Sequence, residues 1–301
     1  MTPQPPVAAP APVPVPGPIP ALEPCLTGEL PYDDVTRHVC DFFWQNIISR
    51  EDLLAAPPSI KIEVEGKLGT LVNRDTNQRL QLPVISQVVL APNSMELAFK
   101  SLMDERQHKK MNDFLNGNVS AAVRQRRLIQ YQHLRETDSF HVLGPDGIAM
   151  LPPVARGIMA NSGHNRKPRV RVTHDTKTGA LKNQIIKTRI ADLDIYSPQT
   201  AFDCRISINA EITFPEDASD FEQIDEPPRI KDRMSYVHQF NQIDLTQVHG
   251  SNGKVHELEI ELMTDKLIEQ GMLTKSGQDN CYETLVGAFV NNIRLLSREA
   301  T

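Results

Sequence analysis

Glu63-Val64-Glu65 and Glu257-Leu258-Glu259-Ile260-Glu261 place carboxylates at every second position, alternating with apolar residues. A strand turns successive side chains to opposite faces, so each segment shows its glutamates on one side and its hydrophobes on the other. One such segment alone is an ordinary amphipathic strand with a solvated acidic face. Two of them, far apart in sequence, make chemical sense together if their carboxylates meet across a divalent cation. Without one, like charges at that range repel and lift each other's pKa.

The same parity sorts the basic residues. Arg169 and Arg171 alternate with Val170 and Val172, and Lys187 and Arg189 lie opposite Ile186 and Ile190. Arg205, Ser207, Asn209 and Glu211 alternate with Ile206, Ile208 and Ala210, while Arg229, Lys231 and Arg233 share a face against Ile230 and Asp232. Two acidic and four basic strands of this kind imply charged faces that look at one another. A closed antiparallel β-barrel of about eight strands supplies that arrangement, with a charged lumen and an apolar outside covered by helices. Such a lumen offers carboxylates for a metal and guanidinium or ammonium groups for an oligophosphate. Mg²⁺ or Mn²⁺ suits it better than Zn²⁺, because the candidate ligands are oxygens and the histidines lack ligand spacing.

The surrounding elements must hold these strands in place. Val35, Val39, Phe42, Phe43, Ile47 and Ile48 recur at helical spacing and predict one helix from Tyr32 to about Leu54, stopped by Pro57-Pro58 just before the first acidic strand. Ser94 is expected to cap a second helix carrying Met95, Ala98, Phe99, Leu102 and Met103, with helical pattern continuing to about Arg135 and a break near Gly117. Arg124-Gln125-Arg126-Arg127 reads as a solvated charged face. Beyond Gly163 alternating segments follow, with a hairpin turn at Asp175–Gly179 and breaks at Ser197-Pro198 and Pro227-Pro228, and Tyr282 to Leu296 closes the chain as a helix. The class is therefore α+β.

Composition narrows the function. With 301 residues and 40% hydrophobic content the chain can bury a sizeable core. Residues 1–29 read as a Pro-rich disordered tail and 30–301 as the catalytic domain, so deletion of the tail is expected to leave the fold intact. Four widely spaced cysteines show no Cys-x-x-Cys pair and none precedes the Arg of a cysteine phosphatase loop. A P-loop is missing, and a net charge of −6 argues against a general nucleic-acid coat, so any phosphate chemistry must be local. No apolar stretch suits a membrane span, and a soluble intracellular protein is expected.

Four segments, Ile62–Gly69, Phe202–Glu211, Arg229–Tyr236 and His256–Leu262, together with Asp244-Leu245-Thr246-Gln247-Val248, resemble the motifs of fungal mRNA 5′-triphosphatases. These are the beta subunits of the fungal capping enzyme, within the triphosphate tunnel metalloenzymes. The resemblance runs in order from about Tyr32 to the C-terminus. It implies that Glu63, Glu65 and Glu261 bind the metal directly, and that Glu257 and Glu259 hold metal-bound waters or basic partners. By the same likeness Arg171, Lys231 and Arg233 form a γ-phosphate clamp, extended by Lys187, Arg205 and Arg229. Glu211 would orient the attacking water, and Asp244 would support the substrate site.

The implied reaction is hydrolysis of the γ-phosphate from 5′-triphosphate RNA, leaving a diphosphate end for capping. The resemblance further implies a nuclear homodimer that works with an mRNA guanylyltransferase, the capping enzyme alpha subunit, or the RNA polymerase II machinery. The sequence carries neither a Trp-Ala-Gln-Lys-Trp peptide, by which the budding-yeast type recruits that partner, nor a Lys-x-Asp-Gly motif, so guanylyl transfer is expected of another chain. Two other readings stand beside this one: a tunnel enzyme acting on tripolyphosphate or nucleoside triphosphates, and a non-catalytic oligophosphate-binding module.

Overall fold

A computed structural model describes residues 21–31, 33–161, 168–251 and 253–300. Most of the Pro-rich segment therefore lies outside the described residues. The chain divides at Asp33. Of the first unit, residues 21–31 form turns around Gly28, whose φ is +77°, and the Cys25 thiol donates to the Glu29 carbonyl at 2.8 Å.

The second unit opens with α1 (Asp34–Phe43), a π-helical turn (Trp44–Ile48) and α2 (Glu51–Leu54), then β1 (Ile60–Asn73), β2 (Val88–Val89), β3 (Leu97–Lys100), α3 (Glu105–Arg124) and β4 (Gln130–Val142). It continues through α4 (Pro145–Ala149), α5 (Pro153–Asn161), β5 (Arg169–Asp175), β6 (Leu181–Tyr196), β7 (Asp203–Thr213), a 3-10 turn (Ala218–Asp220), β8 (Arg229–His238), β9 (Asn241–Gly250), β10 (Gly253–Leu262), α6 (Thr264–Lys275) and α7 (Tyr282–Glu299). The strands pair in the order β1-β7-β6-β5-β4-β8-β9-β10, and β10 returns to β1 through Val64–Lys67 against Leu262–Glu259. Every pairing is antiparallel, which closes an eight-stranded barrel; β3 adds to the end of β1 and β2 to the end of β6.

The expected inversion of inside and outside holds. Val64, Leu68, Ile206, Ile208, Leu258 and Ile260 face outward into a core shared with Val39, Phe43, Ile47, Val286, Phe289 and Ile293 of the helices. α7 packs so closely that a Cβ on Gly66 would lie 2.8 Å from Ile293 Cδ1. A smaller cluster under α5 buries Val170, Val172, Ile186 and Ile212.

The two expected N-terminal helices are corrected. Residues 97–100 are a strand, because the exposed backbone edge of β1 at Thr70–Asn73 takes them as its partner. At Gly69 the approach is close enough that a Cβ would fall 2.2 Å from the Lys100 carbonyl oxygen. The helix begins instead at Glu105, where Asp104 accepts the Gln107 N–H at 2.7 Å and Gln107 caps the Asp104 N–H in return. It then runs through Gly117 without a break and ends at Arg124, so Gln130–Arg135 belongs to β4. The first predicted helix is interrupted by its π-helical turn, and α6 was not foreseen.

Candidate active site

Register decides which side chains meet inside the barrel. Glu65 is paired with Glu261 of β10 on one side and Ser207 of β7 on the other, and Glu63 lies opposite Asn209. Lys67 faces Glu259, and Lys187 of β6 faces Glu211 of β7. On the far wall Arg233 neighbours Thr246 and Lys231 neighbours Glu136. The result is a cavity of about 730 Å³ with carboxylates from β1, β7 and β10 confronting cations from β5, β6 and β8.

Glu63, Glu65, Glu211, Glu257, Glu259 and Glu261 all reach this cavity, as do Arg171, Lys187, Arg229, Lys231 and Arg233. Two expected residues do not. Asp244 stands on the inward face of β9, opposite Glu259 and Ser235, but is fully buried beneath the cavity surface, where it pairs with Arg233 at 3.0 Å and accepts bonds from Ser235 and Gln242, so it positions the clamp without lining the cavity. Arg205 forms a bidentate pair with Asp194 at 2.7 and 2.8 Å and stacks on Phe99, off the cavity wall. A β-bulge between Arg189 and Ala191 explains the latter: it shifts the lumen parity of β6 from odd to even positions, bringing Asp192 and Asp194 opposite Ser207 and Arg205.

Lys67 and Asn209, which line the cavity, and Asp138, buried beneath it, were not among the site residues expected from the sequence. Lys67 bridges Glu259 and, at 3.4 Å, Glu65. Asn209 donates to Glu63 at 2.8 Å and Glu65 at 2.9 Å. Asp138, fully buried on β4, holds the Lys231 ammonium and accepts from Thr173 at 2.8 Å. Alternation within β4 was the available signal for Asp138; the first two already lay on strands read correctly.

The electrostatics divide the site. Burial works to raise the Glu65 pKa, but Lys67 and Lys187 outweigh it and hold the group below the usual carboxylate range. Glu259 is likewise held low against burial by Lys67 and Arg233. Burial raises Glu63, with Glu65 and Glu211 adding to it against the opposing pull of Lys187. Glu261 goes furthest, to about 8, through burial and the nearby Glu63, Asp244 and Glu259. On the cationic wall, burial and the neighbouring Arg171 and Arg233 lower the Lys231 pKa against the pull of Asp138. Arg171 Nε and Arg233 Nε are buried donors without an acceptor among the described residues.

Whether a cation suits this set follows from the same contacts. Among the described residues no three His, Cys, Asp or Glu side chains stand close enough to ligate one ion, and the Lys187 ammonium lies against Glu63 and, at 3.2 Å, Glu65. The Glu261 carboxylate, directly across the register from Glu65, has no ion pair or hydrogen bond among the described residues. A cluster with an unneutralised carboxylate and only oxygen donors fits a hard divalent cation that displaces the lysine. The guanidinium and ammonium groups that line the cavity opposite fit phosphate oxygens.

The family described as mRNA capping enzyme, beta chain, matches residues 29–301. The mRNA-capping enzyme subunit beta of Schizosaccharomyces pombe is 30% identical over 275 residues, covering 88% of this chain and 81% of that protein. The protein of the same name from Candida albicans is 27% identical over 288 residues, covering 92% of this chain but 51% of its own length, so the chain spans about half of that relative. Among solved structures, the S. pombe Pct1 RNA triphosphatase in complex with the Spt5 CTD superposes with a TM-score of 0.77 at 28% identity, covering 93% of this chain and 99% of that one. The chain belongs to the mRNA capping enzyme beta chain family.

Proposed function

We infer that this protein is an RNA 5′-triphosphatase that removes the γ-phosphate of triphosphate-ended RNA in the first step of mRNA capping. The observation that carries the reading is the closed barrel whose acidic wall on β1 and β10 confronts a basic wall on β5, β6 and β8 across one cavity. Phosphoryl transfer asks a protein mainly for positioning and charge neutralisation, and both are built into these walls.

Arg171, Lys231 and Arg233 bind the γ-phosphate through the guanidinium and ammonium groups they bring to the cavity. Lys187 extends this lining, and Asp138 and Asp244 hold Lys231 and Arg233 in place from behind. Glu211, which accepts a 3.2 Å hydrogen bond from Arg171, orients the attacking water and takes its proton. Glu63, Glu65 and Glu261 would hold a Mg²⁺ or Mn²⁺ ion, while Glu257 and Glu259 fix the basic groups Arg229 and Lys67. The bound ion supplies charge neutralisation and Lewis acidity at the phosphoryl oxygens.

Capping acts on nascent transcripts, so the protein works in the nucleus beside the guanylyltransferase and the RNA polymerase II machinery. Its relative's complex with the Spt5 CTD supports a docking site on that machinery, and we extend the reading to a homodimer. Release of labelled phosphate from γ-labelled triphosphate RNA, with Mg²⁺ or Mn²⁺, tests the function. Diphosphate-ended RNA is the expected product. A protein that hydrolyses tripolyphosphate and leaves RNA untouched would overturn it.

A further inference from the structure

A second cavity of about 570 Å³ shares Phe140, Arg169, Arg229 and Glu257 with the first, so it adjoins the lumen as a vestibule. The residues of the γ-phosphate clamp do not reach it. On β5, Arg169 precedes Arg171 by two positions, and on β8, Arg229 precedes Lys231 by two. Each step is about 6.7 Å along the strand, so two further cations stand on the vestibule side of the clamp, where the α end of a triphosphate must pass.

Beyond them the chemistry changes. The Arg169 guanidinium lies over the Phe140 ring at 4.3 Å, with 43% of its side chain exposed, and Glu226 approaches it at 3.9 Å. Phe140 is itself buried, so the arginine covers an aromatic support and presents a planar cation to the vestibule. The remaining wall includes apolar side chains such as Leu102 and Val255. Nucleobases taken out of their stack rest on guanidinium planes as well as on aromatic rings.

Resting on the triphosphatase reading, the geometry points to the vestibule as the seat of the first nucleoside of the RNA, with Arg169 backed by Phe140 as the stacking platform for its base and Arg229 as a contact to the α-phosphate. Stacking tolerates any base, so this subsite recognises that a nucleoside is present and is indifferent to which one. It distinguishes triphosphate RNA from tripolyphosphate, which has no group to place there.

The test compares kcat/KM on a short triphosphate-ended RNA with kcat/KM on tripolyphosphate for the wild type, Arg169→Ala and Arg169→Lys. The ratio of RNA to tripolyphosphate should fall about tenfold in both variants, mostly through KM for RNA, because lysine keeps the charge but loses the plane. An unchanged ratio in both variants, or one restored by lysine, overturns the stacking platform. Binding gives an independent readout: 2-aminopurine placed first in an RNA bearing a non-hydrolysable triphosphate should be quenched by wild type and much less by Arg169→Lys. Equal quenching overturns the inference, even were a variant too unstable for kinetics. A wild type that ignores RNA altogether fails the functional reading itself, and the platform with it.

Discussion

The two walls of the lumen solve the problem of buried charge differently. Around the clamp, cations meet carboxylates of the same chain: Lys231 lies on Asp138, and Arg233 is 3.0 Å from Asp244, with both acids fully buried. Around Glu63 and Glu261 the balance tips to negative, and the pKa of each is raised. The basic wall is thus paired before any ligand arrives, whereas the acidic wall sheds its excess charge only by taking up a proton or an external cation. The difference teaches which side is scaffold and which side is socket.

The sharpest way to break that contrast is to remove the socket. Glu63→Ala, Glu65→Ala and Glu261→Ala should each lower phosphate release by on the order of a thousandfold or more, and aspartate should not rescue them, because a strand-mounted ligand one methylene shorter loses its reach. Near-normal rates in two of the three would remove the proposed ion from this position. Glu261→Gln adds a stability readout. Because the folded pKa is raised to about 8, the unfolded chain ionises first as pH climbs from the ordinary carboxylate value, and folding is penalised at neutral pH. In chelator at pH 7 this inactive variant should melt higher than wild type, by a few degrees. A lower melting temperature would mean that Glu261 is already neutralised within the chain.

Breaking the scaffold should cost stability as well as rate. Asp138→Asn strands a buried Lys231 and should destabilise the fold by about 3–5 kcal/mol in denaturant titration. Adding Lys231→Met should recover much of that stability and none of the activity. If the single variant were as stable as wild type, the pair would not be the internal compensation described above.

Within the clamp, Arg233→Ala should reduce turnover by roughly ten- to a thousandfold, and Arg233→Lys should remain impaired if two guanidinium nitrogens are needed. Wild-type rates for the lysine variant would reduce the contact to a single point charge.

The smallest effect belongs to a buried pair away from the lumen. His108 and His256 stack at 4.5 Å, and neither Nε2 has a hydrogen-bond partner among the described residues. Burial and the facing His256 push His108 down to about 4. The folded state therefore stays neutral at His108 while the unfolded chain takes up a proton near pH 6.5. Its contribution is whole above that pH and is lost as pH falls from about 6.5 toward 4. Melting temperature measured across this window should fall more steeply for wild type than for His108→Gln; parallel curves would discount the pair.

Much of the lumen was legible because parity is a strict rule along a regular strand. Glu63, Arg171, Lys231 and Glu261 could each be assigned a face from their neighbours alone. Legibility stopped where tertiary partners override local pattern. Leu97–Lys100 has apolar residues compatible with a helix, yet the open edge of β1 claims it as a strand. Reading helix through Arg135 obscured β4, and with it Asp138. Asp194, and so the engagement of Arg205, was hidden by the bulge, which no composition signal marks.

That bulge gives β6 something like a change of reading frame. Upstream, the lumen reads Lys187 and Arg189; one extra residue later it reads Asp192 and Asp194, and the Arg189–Asp192 pair spans the junction. A single strand can therefore contribute cations to the cavity and anions to the patch that holds Arg205. The corollary is an asymmetry in what this wall tolerates. Removing the extra residue at Ile190 would make the strand regular and leave Asp192 and Asp194 opposite Ser207 and Arg205, whereas deleting a residue farther along with the bulge kept would exchange the inner and outer texts downstream, sending Asp192 and Asp194 into the hydrophobic layer and Leu193 and Ile195 into the lumen.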